Sequence, residues 1–314
     1  MHPGMSQTVA PSRPRGMRPI DTTPNSEDLR RPDWLDAEVW PFPVKTLDTG
    51  SGRVAYTEVG SGPPLLFLNA PQWSMVWRDT MVLLRDEFRC IALDAPGLGL
   101  SDRVEPDLQH LGTVRDSVVS LVDHLGLTEA TLVVHDLGGL SGLAAASRRP
   151  EAFTRLVAVN TFGWKPVGIL LPLMLAMFGS AAVRWFDSAT NALPFATSGP
   201  FGVGRMMDKQ SRFAFRHAFD RPATATMHRL FADAARNDEV HSEAAIGLAL
   251  LAENAALTVF GGWGDYLRFR RQWRQRLPEL TEVSIPRGIH FPMDDNPPMV
   301  AAAIAALHGV SVPA

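Results

Sequence analysis

A chain of 314 residues with 46% hydrophobic and 20% charged side chains is long and apolar enough to bury a sizeable core, and reads as a globular enzyme. Its net charge of -3, with no basic stripe, zinc-ligand spacing or phosphate-cradling glycine loop, argues against a nucleic-acid partner and implies no metal or organic cofactor. The single cysteine, Cys90, excludes a disulfide within the chain and fits a reducing, cytoplasmic setting.

Residues 1–32 are rich in Pro, Ser, Arg and Thr without an apolar stretch, which predicts a disordered tail and not a secretory signal. Pro43 to Gly60 alternates and turns like a hairpin, with Gly50-Ser51-Gly52 between Val44–Leu47 and Arg53–Thr57. Pro64–Leu68 is wholly apolar, as expected of a strand covered on both faces. A helix over Met75–Asp86 and a buried strand over Cys90–Leu93 follow, then the glycine-rich loop Asp94–Asp102. Val114, Val118, Leu121, Val122 and Leu125 recur at helical spacing, and Gly126 ends that helix.

The next strand, Leu132-Val133-Val134, runs into His135-Asp136-Leu137-Gly138-Gly139 and a helix to Arg148. A strand-to-helix turn this sharp forces its central side chain out at the strand's carboxyl end and needs small residues just behind it. Alone, Asp-x-Gly-Gly is an ordinary turn sequence, and its weight comes from its surroundings.

A strand over Thr154–Val159 ends the first run of alternation. From Asn160 to about Asn254 the chain is helix-like and rich in Met and Phe. Within it, Val167–Val183 is uncharged, yet it falls just short of the ~18 to 20 residues that span a bilayer and holds Pro172. A buried or pocket-lining helix is expected there, and membrane contact is not. Alternation resumes with Ala256–Phe260, a helix near Arg270–Arg276, the strand Glu282–Ile285 and a last helix over Pro298–His308. This order predicts an α/β fold: a mostly parallel, doubly covered sheet over 33–161 and 255–314, with an inserted helical cap at 162–254.

Three acid/base residues fall just after strands: Asp136, Asp265 and His290. Open parallel sheets bring such loops to one edge, so these side chains are expected to converge. A carboxylate can displace a leaving group from saturated carbon and leave an ester on itself. Water must then attack that ester, with His290 as base and Asp265 holding its imidazole. The backbone N–H groups of Ala70 and Leu137 are the expected oxyanion donors. His135 is expected as a buried neighbour of the nucleophile and not as a second base.

These marks, with Pro71–Arg78 (PQWSMVWR), Asp94–Asp102 (DAPGLGLSD), Gly262-Trp263-Gly264-Asp265 and Gly288-Ile289-His290-Phe291, resemble the α/β-hydrolase fold from about Pro41 to the end of the chain. The Asp in the nucleophile's place is similar to the branch holding haloalkane dehalogenases and epoxide hydrolases. Trp73-Ser74, Trp77-Arg78-Asp79 and Asn160-Thr161 with Trp164 resemble the dehalogenases most. The resemblance implies a hydrolase that cleaves a carbon-halogen bond of a small apolar molecule with water. Action on an epoxide, ester or other bond stays open, as does a non-catalytic binding or membrane-associated protein on the same fold.

Departures from the pattern fall at the leaving group. Dehalogenases of this kind usually hold the halide with a Trp after the nucleophile and an Asn in a His-Gly-Asn-Pro loop; here Leu137 and Leu68-Asn69-Ala70-Pro71 stand in those places. Asn69, Trp73, Trp164 and Trp185 are therefore the candidate replacement donors. The only tyrosines, Tyr56 and Tyr266, lie outside the cap, which disfavours a standard epoxide hydrolase. Leu137, Met174, Met177, Phe178 and Phe201 predict an apolar pocket for a neutral substrate. No Gly-x-Ser-x-Gly occurs, so a serine esterase is not expected. Oligomeric state is not legible.

Overall fold

The computed structural model describes residues 27–277 and 279–312. Three strands form an antiparallel margin: β1 (Glu27–Asp28), β2 (Lys45–Asp48) and β3 (Arg53–Val59), with β3 continuing antiparallel onto β5. β1 falls inside the stretch expected as tail, and most of the remaining tail lies outside the described residues. Then come β4 (Pro64–Ala70), α1 (Arg78–Leu84), β5 (Arg89–Asp94), α2 (Leu111–Leu125), β6 (Ala130–Asp136), α3 (Gly138–Arg148) and β7 (Phe153–Thr161). β7 runs past the predicted strand and carries Asn160 and Thr161 at its end.

Six helices follow: α4 (Leu170–Phe178), α5 (Ala181–Thr190), α6 (Ala192–Thr197), α7 (Lys209–His217), α8 (Arg221–Ala234) and α9 (Asp238–Leu251). The chain returns to the sheet with β8 (Ala256–Gly261), α10 (Phe269–Arg274), β9 (Leu280–Ile285), α11 (Pro292–Asp295) and α12 (Pro297–Leu307). Among the described residues the sheet has nine strands in the order β1-β2-β3-β5-β4-β6-β7-β8-β9, parallel from β5 to β9.

The strand order reverses at β4, which has β5 on one side and β6 on the other. A crevice opens where connections leave such a strand pair in opposite directions, so the carboxyl ends of β4 and β6 are the natural ligand edge. Apolar side chains on both faces of these strands hold that edge in place: Leu65 to Leu68 and Leu132 to Val134 are fully buried. Cys90 of β5 is part of this core, and burial pushes its thiol up to about 12, which leaves it inert as a nucleophile.

Two polar hubs fasten the helices. Arg115 of α2 reaches Glu239 (3.0 Å) and Glu243 (2.5 Å) of α9, and Arg148 of α3 pairs with the same Glu243. α9 thereby lies along α3, against the sheet layer. The other hub is His228 of α8, whose Nδ1 meets the Phe178 carbonyl at 2.6 Å and whose Nε2 meets Asp187 Oδ2 at 2.7 Å. Asp187 Oδ1 also accepts from the Leu193 N–H at 2.7 Å, so one buried pair gathers α4, α5, α6 and α8.

Breaking such a pair from one side strands a charge in a dry place. Replacement His228→Ala is expected to lower unfolding stability by about 3–5 kcal/mol, measured by denaturant titration, with amide exchange rising first in α4 to α6.

Candidate active site

Asp136 sits at φ 51, in the left-handed region that few residues with a side chain adopt. This turn carries the chain from β6 into α3 within two residues and leaves the carboxylate at the strand's end. The two glycines behind it are required by close approach. A Cβ at Gly139 would lie 2.1 Å from Thr161 Oγ1 and 2.3 Å from the Phe162 carbonyl, and one at Gly138 would lie 2.7 Å from the Leu68 carbonyl. The positive end of α3 adjoins the carboxylate and favours its charge.

His290, in the loop after β9, brings Nε2 to 2.9 Å from Asp136 Oδ2 across 154 residues of sequence. Its backbone is held from several sides. The Ile289 carbonyl accepts from Asn160 Nδ2 at 2.8 Å, the Ile289 N–H donates to Asp295 Oδ2 at 2.7 Å, and His135 Nε2 lies 2.9 Å from the His290 carbonyl. His135 is fully buried beside His290, and burial, followed by the neighbouring imidazole, lowers its pKa to about 3. It is therefore neutral, its two ring nitrogens set between the His290 carbonyl and Asn69 Oδ1, which lies 2.8 Å from Nδ1.

Asn160, at φ 37, is a participant that the strand pattern did not reveal. Its Oδ1 accepts from the Gly261 N–H at 3.0 Å while its Nδ2 holds Ile289, so one amide ties the ends of β7 and β8 to the histidine loop.

Asp265 follows β8 as expected, but its carboxylate is turned elsewhere. Oδ1 accepts from the Phe269 N–H at 2.6 Å, and Oδ2 meets the Arg270 N–H and Nε at 3.3 Å. No hydrogen bond joins it to His290 among the described residues. The start of α10 offers free N–H groups to the nearest carboxylate, and Asp265 answers that need. Of the two expected oxyanion donors, the Leu137 N–H is used by the Ala70 carbonyl at 2.8 Å, because the tight turn folds that amide back over the end of β4.

Asp136 and His290 open onto a cavity of about 540 Å³, lined mainly by apolar side chains including Leu137, Met174, Phe178 and Phe201. Met177 points outward instead and is half exposed. None of the four expected leaving-group donors lines this cavity. Asn69 spends its amide on the Trp73 carbonyl (3.3 Å) and His135 Nδ1 (2.8 Å). Trp73 is stacked among Trp34 and Trp40, Trp164 packs against Trp273 beneath Arg276, and Trp185 is 74% exposed. Burying an indole's large apolar surface outweighs the use of its one N–H, which is why Trp73 and Trp164 went to core packing.

What does face the cavity is Gln72, buried in the loop after the cis Ala70–Pro71 bond, its Oε1 without a hydrogen-bond partner among the described residues. That loop is fixed by Asp94, whose Oδ1 accepts from the Ser74 N–H at 2.7 Å and whose Oδ2 accepts from Leu100 at 2.9 Å. Tyr266 also lines the cavity, on its exposed side.

Below the histidine loop, Asp294 is buried with Oδ2 unpartnered among the described residues, and burial, aided by Asp79 and Asp295, pushes its pKa up to about 8. The folded chain thus keeps a proton that the unfolded chain releases near its ordinary value of 3.8, so stability falls as pH rises from about 4 to 8. Asp294→Asn is expected to raise the melting temperature, by an amount that grows across that window and levels off above it. A gain independent of pH would contradict this protonation.

Comparison with known proteins places these features. Residues 63–203 match the family model for the alpha/beta hydrolase fold. Haloalkane dehalogenase 2 of Mycobacterium tuberculosis strain H37Rv is 28% identical over 295 residues, covering 87% of this chain and 98% of its own length. A cis-3-alkyl-4-alkyloxetan-2-one decarboxylase of Xanthomonas campestris is 30% identical over 293 residues, covering 84% and 95%. The crystal structure of a haloalkane dehalogenase from Bradyrhizobium elkani superposes with a TM-score of 0.70 at 22% identity, over 82% of this chain and 94% of that one.

Proposed function

The chain belongs to the α/β-hydrolase fold family, in its haloalkane dehalogenase-like part, and for this hydrolase of the dehalogenase type we propose cleavage of a carbon-halogen bond in a neutral, apolar molecule through attack by Asp136. The observation that carries the reading is the 2.9 Å contact of His290 with a carboxylate bared on an elbow at the edge of an apolar cavity. One oxygen of Asp136 bonds to the saturated carbon as the halide leaves with the bonding pair, giving an alkyl ester. His290 then takes a proton from water as that water attacks the ester's carbonyl carbon. The ester breaks, Asp136 is restored, and alcohol, halide and a proton are the products.

In this reading His290 is oriented first by the Asn160, His135 and Asp295 bonds to its loop. Asp265, bound to α10 and Arg270, contributes as a carboxylate at the same sheet edge, so Asp265→Asn costs less than His290→Ala. Gln72 takes the part expected of Trp73 and Trp164: among the described residues its Nε2 donates to no other group, whereas both ends of the Asn160 amide are engaged. A cytoplasmic setting belongs to the same proposal.

A second reading concerns the leaving group. Leu137 and Ala70 occupy the places of the customary halide donors, and the relative at 30% identity is named for an oxetanone. Asp136 would then attack the saturated ring carbon bonded to oxygen in a strained lactone, the ring oxygen leaving as a carboxylate to which Gln72 donates; loss of that carboxylate as carbon dioxide expels Asp136 and leaves an alkene.

Incubation with brominated and chlorinated alkanes, and separately with a dialkyl oxetan-2-one, distinguishes the two by released halide or carbon dioxide. Asp136→Asn is expected to abolish product, and His290→Ala to slow turnover at least about a hundredfold while an adduct on Asp136 accumulates in the intact mass. Gln72→Leu is expected to lower kcat/KM on the order of 10- to 100-fold. Product formation equal to wild type in Asp136→Asn would sink both readings.

A further inference from the structure

The helical segment carries an apolar surface that its own packing leaves uncovered. On α4, Leu171, Met174, Leu175 and Phe178 turn inward to the cavity, while Leu170, Leu173 and Met177 turn out. Ile169 just before it is 84% exposed, and Trp185 and Phe186 of α5 and Phe195 of α6, the next two helices, are exposed as well. α4 is thus only half the pocket-lining helix that its sequence predicts. Large apolar side chains exposed together on three consecutive helices are the mark of an interaction site.

Charge narrows the choice of partner. Between residues 165 and 236 nine Lys and Arg stand against four Asp and Glu, in a chain whose net charge is -3. Among the described residues only Lys165 and Arg205 of these nine form ion pairs, with Asp238 and Asp295. Two of the four acids are already engaged, Asp187 by His228 and Asp220 by Arg103. Arg216 lies over the Phe195 ring at 5.2 Å, which puts a cation at the apolar face itself. Exposed aliphatic and aromatic side chains bordered by unpaired cations are the pattern of a helix lying in the interface of an anionic bilayer.

The mouth of the cavity is aromatic. Phe201 is 90% exposed and lines the cavity, as do the exposed Trp263 and Tyr266, so aromatic side chains form its mouth. Trp and Tyr favour the headgroup region, where one end of the ring is wet and the other dry. α4 and α5 meet at a 55° bend, and no single helix among the described residues is long and apolar enough to cross a bilayer.

We propose that α4 to α7 dock the cavity mouth on an anionic lipid surface, from which an apolar substrate passes to Asp136 without crossing water. Leu170, Leu173, Trp185 and Phe195 enter the interface, and Arg212 and Arg216 meet the lipid phosphates. Docking is independent of the bond cleaved, so it stands or falls apart from the proposed chemistry.

The test is co-sedimentation of the full chain with vesicles of phosphatidylcholine alone and of phosphatidylcholine with phosphatidylglycerol. Binding to the anionic vesicles, weakened by salt and accompanied by a blue shift of tryptophan emission, is the expected result. The pair Leu173→Ser with Trp185→Ser, and separately Arg212→Glu with Arg216→Glu, should each weaken it at least about tenfold while vesicle-free turnover stays within about twofold. No binding to anionic vesicles would overturn the proposal, as would variants that bind like wild type. Gel filtration showing a dimer that the Leu173/Trp185 variant dissociates would assign the face to a second copy of the chain and also overturn it.

Discussion

A left-handed backbone at a residue that carries a side chain underlies everything at the sheet's edge. Asp136 adopts a conformation that costs free energy, and the surroundings hold it there: Thr161 Oγ1 donates to the Asp136 carbonyl at 2.5 Å, the Leu137 N–H is drawn to Ala70, and two glycines let α3 press against β4 and β7. Relaxation of that turn would swing the carboxylate away from His290. The contact across 154 residues is therefore a property of the whole sheet, and the loops alone do not set it.

Around the elbow, burial sets the protonation of the supporting groups. His135 is kept neutral between the His290 carbonyl and Asn69 Oδ1; Asp294 is kept protonated beneath the same loop; Asp94 bridges the loops after β4 and β5 through two backbone N–H groups. His135 sits one contact behind His290, and Asp294 one behind Phe291, both of which face the cavity. Rigidity there leaves fewer arrangements for the reacting pair to search.

Much of this was legible in the sequence because it is written in local patterns. Apolar runs of strand length, the Asp-x-Gly-Gly turn and the placing of Asp136, Asp265 and His290 just after strands all follow from neighbours in the chain. What escaped depends on contacts between distant segments. Whether Asp265 faces His290 or the start of α10 is decided by competition between two partners, one adjacent in sequence and one across the sheet, and the adjacent N–H groups win. The indoles of Trp73 and Trp164 were drawn into the core by their area, while Gln72, an unremarked amide beside a proline, was left facing the cavity. Asn160 was noted only as part of a resemblance, and its tying of β7 and β8 to the histidine loop became visible when β7 proved longer than its alternation. The apolar stretch at Val167–Val183 showed its composition but not its two faces, because inward and outward positions there are equally greasy.

The placement of the helical excursion has an evolutionary consequence. It leaves the sheet at the end of β7 and rejoins it at β8, and these are adjacent parallel strands, so the chain departs and returns across roughly one strand spacing, ~5 Å. Closing a loop on such near endpoints grows only slowly more costly with its length. Insertions, deletions or wholesale exchange of those helices can thus accumulate without disturbing the strands that hold the reacting pair, and molecular recognition can diverge between lineages while bond-breaking stays the same.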